Sequence, residues 1–164
     1  MTQIAIPLLK NFGIDSPSLS LKLFKRGFRP LGGGEVHFSS PQIKYLKKVN
    51  LLEKGKVKKI RGVSYASKVS IQNLNRMVSK IRDVFNDYIP DVWIYTDYYK
   101  GDKAGASPGY GVSLVAESNS KCLISAEENY DLAESKENNL PESLGEKCAL
   151  RLLDEIYYVY KKKN

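Results

Sequence analysis

Apolar positions recur along the chain with two different periods, and the places where the period changes mark its elements. Ile4, Ile6, Leu8, Leu9 and Phe12 predict a short helix over residues 3–12, with Pro7 near its first turn and Gly13 where a C-cap is expected. Leu19, Leu21 and Leu23 then alternate with Ser20, Lys22 and Phe24, the period of a strand. After the Gly32-Gly33-Gly34 turn, Val36 and Phe38 repeat the alternation until Pro41 stops it. Residues 42–56 are weakly patterned and read as a connection containing one helical turn at Leu51–Lys54.

A β-branched and aromatic pattern returns from Val57 to Ser67. Ser70 then caps a helix whose stripe is Ile71, Leu74, Val78, Ile81, Phe85 and Tyr88, ending at Ile89-Pro90. Residues 92–98 read as a buried strand, and Lys100 to Gly111 as a Gly, Ser and Pro-rich loop. Val112–Glu117 and Cys122–Glu127 form a hairpin about Ser118-Asn119-Ser120. An acidic stretch from Glu128 to Asn139 precedes a last helix with Pro141 in its first turn and Leu144, Cys148, Leu152, Ile156 and Val159 on one face. That helix closes on Lys161, Lys162 and Lys163 at the negative end of its dipole.

These elements make an α+β fold in which residues 42–128 supply strand, helix, strand and hairpin, enough for a unit of their own. Residues 1–41 and 129–164 supply two helices and only two strands, which cannot bury both faces of a sheet or close its edges. Either the chain dimerises or it lacks strands; it reads as a piece of a longer protein, or a truncated relative of one, with more strands of the same outer sheet on either side.

Charge narrows the function classes more than composition does. With 42% apolar and 27% charged residues, 12 Gly and 7 Pro among 164, disorder, collagen and coiled coil are excluded. No apolar run approaches the roughly 18 residues of a membrane span. Cys122 and Cys148 form no CxxC pair and no Asn-X-Ser/Thr acceptor occurs, which points to a reducing cytosolic or nuclear compartment. The net charge is +8, and residues 1–61 hold 13 Lys+Arg against 3 Asp+Glu. Lys22, Lys25, Arg26 and Arg29, then Lys44 to Arg61, form two basic groups that either attract RNA phosphates or serve only as a solvated face.

Candidate chemistry is sparse. His37, the lone histidine, alternates with Val36 and Phe38 and reads as a surface residue rather than a nucleophile. Gly32, Gly33 and Gly34 lack a GxxxxGK[ST] context and read as a structural turn. Asp91, Asp97, Asp102 and Glu117 lack diagnostic metal spacing, and both cysteines read as core, so no catalytic residue, metal or cofactor is assigned. Trp93, Tyr95, Tyr98 and Tyr99 read first as core packing and second as a platform for stacking RNA bases.

Lys25-Arg26-Gly27-Phe28-Arg29-Pro30-Leu31-Gly32-Gly33-Gly34-Glu35-Val36 resembles the central signature of the RNA 3'-terminal phosphate cyclase superfamily, and Ile60-Arg61-Gly62-Val63-Ser64-Tyr65 with Val69-Ser70 resembles its next block. Leu31, where true cyclases usually carry Arg, and the stretches Tyr95–Gly101 and Ser107–Gly111 look like the cyclase-like nucleolar branch that acts in small-subunit rRNA maturation. The resemblance implies a large domain of helices on four-stranded sheets, interrupted by a smaller α+β insert. It implies a ribosome-biogenesis factor without cyclase activity, working on pre-rRNA in the nucleolus with a nucleolar GTPase partner. The catalytic histidine of true cyclases lies in a part of the family that this chain does not match. On that reading Lys25, Arg26, Arg29, Lys58, Lys59 and Arg61 are the RNA-binding candidates, and Lys100, Asp102, Lys103 and Tyr110 the partner-loop candidates. The alternative is an RNA-processing enzyme: a pre-rRNA endonuclease, or an ATP-dependent cyclase in full-length form.

Overall fold

A computed structural model describes residues 3–15, 17–130 and 139–161. Most of the acidic stretch, and Lys162 and Lys163 of the basic C-terminal run, lie outside the described residues. The elements in order are α1 (Ala5–Asn11), β1 (Ser20–Lys25), β2 (Glu35–Ser39), β3 (Val57–Ser67), α2 (Ile71–Phe85), β4 (Val92–Tyr99), a 3-10 turn (Gly101–Lys103), β5 (Gly109–Ser118), β6 (Leu123–Asn129) and α3 (Pro141–Lys161). They form a two-stranded sheet, β1-β2, and a four-stranded mixed sheet in the order β4-β3-β5-β6. This is the α+β architecture expected from the alternation of periods. Among the described residues no helix is long and apolar enough to cross a membrane.

The four-stranded sheet owes its stability to one face. β4 runs parallel to β3, so the chain must cross over between them, and α2 is that crossover. The Ser70 side chain accepts a hydrogen bond from the Gln72 N–H at 3.2 Å, capping the helix where expected. Leu74, Met77, Val78, Ile81 and Phe85 are buried, whereas Ile71 and Tyr88, at the two ends of the predicted stripe, are exposed. Register sets Ile60, Gly62, Ser64 and Ala66 of β3 in line with Val92 and Ile94 on one side and Val112, Leu114 and Ala116 on the other. This face meets both helices.

α3 completes that layer, burying Leu144, Cys148, Ala149 and Leu152 in the same core. Among the described residues this helix packs against α2, β5 and β6. A stripe of this spacing specifies that a helix has a buried face, and leaves open which sheet covers it.

Two local expectations are corrected. Leu51–Lys54 forms no helical turn, because Asn50 accepts from the Leu52 N–H at 3.1 Å and the Glu53 carbonyl accepts from Ser120 Oγ at 2.9 Å. These bonds draw the segment out along the β5-β6 turn. The strand expected from Val112 begins at Gly109, where Gly109, Tyr110 and Gly111 pair with Ser67, Ala66 and Tyr65. Glycines read as loop residues are strand residues here, lying beneath the rings of Phe28 and Tyr65.

Candidate nucleic-acid interface

The opposite face of the four-stranded sheet carries Lys59, Arg61, Val63 and Tyr65 of β3 beside Trp93, Tyr95, Asp97 and Tyr99 of β4, and Ser113, Val115 and Glu117 of β5. It is partly covered by the first unit. Gln3 and Ile4, with Leu21 and Leu23 of β1, form one wall of a groove of about 340 Å³ whose floor includes Val63, Tyr65, Tyr95, Asp97 and Glu127. The β1-β2 ribbon pairs Leu21 with Phe38 and Leu23 with Val36, and leaves Val36 and Phe38 more than half exposed.

Two sequence motifs that lie far apart in the chain meet at one end of this face. The Arg26 N–H donates to the Lys103 carbonyl at 3.1 Å, Gly105 N–H to the Arg26 carbonyl at 2.7 Å, and Ala106 N–H to the Gly32 carbonyl at 2.9 Å. The Leu31 N–H donates to Ser107 Oγ at 3.1 Å. The glycine turn, with positive φ at Gly32 and Gly33, thus lays its backbone against the loop that follows β4. The loop read as a contact for an outside partner is anchored by its own chain. Lys100, Asp102 and Lys103 are exposed on it, whereas Tyr110 is buried, its hydroxyl donating to the Asn139 carbonyl.

Arg26 is the centre of this junction. Its Nη2 lies 3.0 Å from Asp97 Oδ2, and its guanidinium sits 4.2 Å from the Tyr65 ring centroid and 5.3 Å from that of Tyr99. The Tyr65 hydroxyl is 2.6 Å from both Glu127 Oε1 and Asn129 Oδ1, close enough to donate to either. Burial, reinforced by the Glu127 carboxylate, pushes that phenol far above its ordinary value. Arg26 therefore works as a clasp between sheet and turn.

The other cationic candidates differ in what already neutralises them. Arg61 makes a two-pronged contact with Asp91 at 2.8 and 3.0 Å, and this hydrogen bonding holds the Asp91 carboxyl below its usual range. Lys59 Nζ is 3.1 Å from Glu117, and Lys25 only 3.9 Å from Glu35. Arg29 and Lys58 are exposed and form no ion pair among the described residues. Asp91, Asp97 and Glu117 are thus each paired with a separate cation, and among the described residues no three His, Cys, Asp or Glu side chains gather to hold a metal ion. His37 is exposed, with Nε2 3.1 Å from Glu35 Oε1 and its ring 4.4 Å from that of Phe24.

For the aromatics of β4 the structure favours the second of the two sequence readings, an exposed platform. Core packing is the expected place for Trp93 and Tyr95, yet they are 65% and 61% exposed. β4 is an edge strand, and the helices cover only the face that carries Ile94. The available signal is the interruption of the run by Thr96 and Asp97, which a strand buried on both faces would not carry.

Comparison with known proteins joins these features to a family. Residues 52–157 match the family described as RNA 3'-terminal phosphate cyclase (RTC), insert domain. The chain is 50% identical over 157 residues to the human RNA 3'-terminal phosphate cyclase-like protein, covering 93% of this chain and 41% of that protein. It is 41% identical over 162 residues to the probable RNA 3'-terminal phosphate cyclase-like protein of Dictyostelium discoideum, covering 93% of this chain and 43% of that one. It is 43% identical over 156 residues to the rRNA processing protein rcl1 of Schizosaccharomyces pombe, covering 94% and 41%. The chain spans about two fifths of the length of these relatives. With the four-stranded α+β unit from β3 to α3 falling almost wholly inside the matched span, the chain belongs to the RNA 3'-terminal phosphate cyclase family, as a segment that carries its insert domain.

Proposed function

We propose that this chain is part of a cyclase-like factor in pre-rRNA processing and small-subunit assembly, acting in the nucleolus without cyclase chemistry of its own. The observation that carries the reading is its likeness, over nearly the whole chain, to a relative named as an rRNA processing protein. The charge supports it: the net +8 is concentrated in the first 61 residues. On this reading Lys25, Arg29, Lys58, Lys59 and Arg61 contact pre-rRNA phosphates, and Arg26 fixes the turn that presents Arg29. Residues 1–41 belong to the larger cyclase-like domain. The exposed Lys100, Asp102 and Lys103 meet a protein of the pre-ribosomal particle, a nucleolar GTPase.

Arg29 and Lys58 are the residues to test first, because changing them breaks no ion pair among the described residues. Arg29→Glu with Lys58→Glu should weaken RNA binding and lower the slope of log K against log salt by roughly 0.7 for each phosphate that is no longer neutralised. Unchanged affinity at both low and high salt would refute the assignment.

A further inference from the structure

The exposed Trp93 and Tyr95 are the feature that the phosphate contacts above do not use. A strand advances about 3.3 Å per residue and alternates its faces, so these two rings stand on the same face of β4, about 7 Å apart. Register puts Arg61 directly beside Trp93 and Val63 beside Tyr95, with Asp97 and the Arg26 clasp further along the same strand. The row thus has a guanidinium near each end. Large aromatics left in water on a sheet face are costly unless something covers them, and two rings at this spacing suit flat ligands arriving in series. What covers them in a chain of net charge +8 is best an anion that carries its own flat groups. The Arg61–Asp91 pair does not prevent this. It lies at the surface, with side chains 35% and 53% exposed, and an exposed pair opens at little cost.

We propose that Trp93 and Tyr95 stack successive bases of single-stranded RNA, with Arg61 turning from Asp91 to the phosphate between or beside them. The inference rests on the reading of the chain as an RNA-contacting factor and adds to it a base-stacking site on residues outside the phosphate set. Stacking of this kind tolerates any base, so the site grips unpaired RNA with little regard to sequence.

Trp93 is the single tryptophan of the chain, and it reports its own occupancy. The experiment is a titration of the 164-residue chain with oligouridylate of about 10 nucleotides, following Trp93 emission and its access to acrylamide. Quenching and protection that saturate with binding are expected. Trp93→Ala and Tyr95→Ala should each weaken binding roughly 5- to 150-fold while leaving the salt slope at its parental value, because stacking releases no counterions. Trp93→Phe should keep most of the affinity.

If the RNA binds with full salt dependence while Trp93 emission stays unchanged and Trp93→Ala binds like the parent, stacking is overturned and the phosphate reading stands. If oligouridylate does not bind at all, both fall together. A shift in emission with protein concentration alone would put a second copy of the chain on the strip, and would equally overturn it.

Discussion

The close approach of the glycine turn to the loop after β4 makes a sharp prediction at Gly105. A Cβ at this position would overlap the Gly32 carbonyl oxygen and stand 2.6 Å from Gly27 Cα and 2.9 Å from the Arg26 carbonyl oxygen. All three are backbone atoms, so no side chain can turn aside to make room. Gly105→Ala must push the turn off the loop. Overpacking of this kind costs about 1–3 kcal/mol. Two backbone hydrogen bonds, Gly105 N–H to Arg26 and Ala106 N–H to Gly32, break with it, each contributing about 0.5–1.5 kcal/mol. The combined effect is about 2–6 kcal/mol, and it falls on the junction, because the large hydrophobic cluster lies in the four-stranded unit and its two helices. Native-state hydrogen exchange is the assay. Amide protection at Arg26, Leu31 and Ala106 should fall roughly 30-fold or more, with the β3 and β5 amides unaffected. Gly101→Ala is the control: φ is +59° but nothing lies within 4 Å of the added methyl, so it strains the backbone and spares the junction. Parental protection at Arg26 and Ala106 in Gly105→Ala, or equal losses in both variants, would show that the close approach does not hold the turn.

Three further outcomes are expected. A double-mutant cycle on Arg26→Met and Asp97→Asn should return a coupling of about 1–2 kcal/mol in denaturant unfolding, since these side chains are only 19% and 29% exposed; additive effects would remove Arg26 from the role of clasp. Phe85→Ala should cost about 3–5 kcal/mol as a lowered urea midpoint, because the ring is fully buried between helix and sheet. Burial pushes the Cys148 thiol up to about 12 from an ordinary 9, so iodoacetamide near pH 8 should label the half-buried Cys122 and spare Cys148 until the chain unfolds. The same shift sets a stability window. The folded state keeps a proton that the unfolded state releases, so the contribution is complete below pH 9 and is lost as pH climbs from 9 toward 12. Cys148→Ala should flatten that part of the stability curve, and an unchanged slope would count against the shift.

Much of the fold was legible because its elements obey simple periods. The stripe of α2, its serine cap, the alternation in β1 and β2 and the hairpin between β5 and β6 are local patterns, and local patterns survive packing when the face they predict finds a partner. The basic bias of the first third was equally open to reading, since charge can be counted without coordinates. What the chain order could not convey was which surfaces meet. α3 reads as a helix with one apolar face whichever sheet it covers, and only packing assigns it to the core shared with α2.

Tertiary structure also decides what surrounds the candidate residues. Arg26 belongs by spacing to a basic cluster, yet Asp97, Tyr65 and Tyr99 reach it from 39 or more residues away and make it a clasp. Trp93 and Tyr95 look like core residues by composition, and become surface because β4 ends the sheet and helices cover its other face. Residue type and spacing fix the local conformation and the charge a segment carries. Exposure and pairing depend on neighbours brought together by long-range strand order, and that is a property of the folded whole.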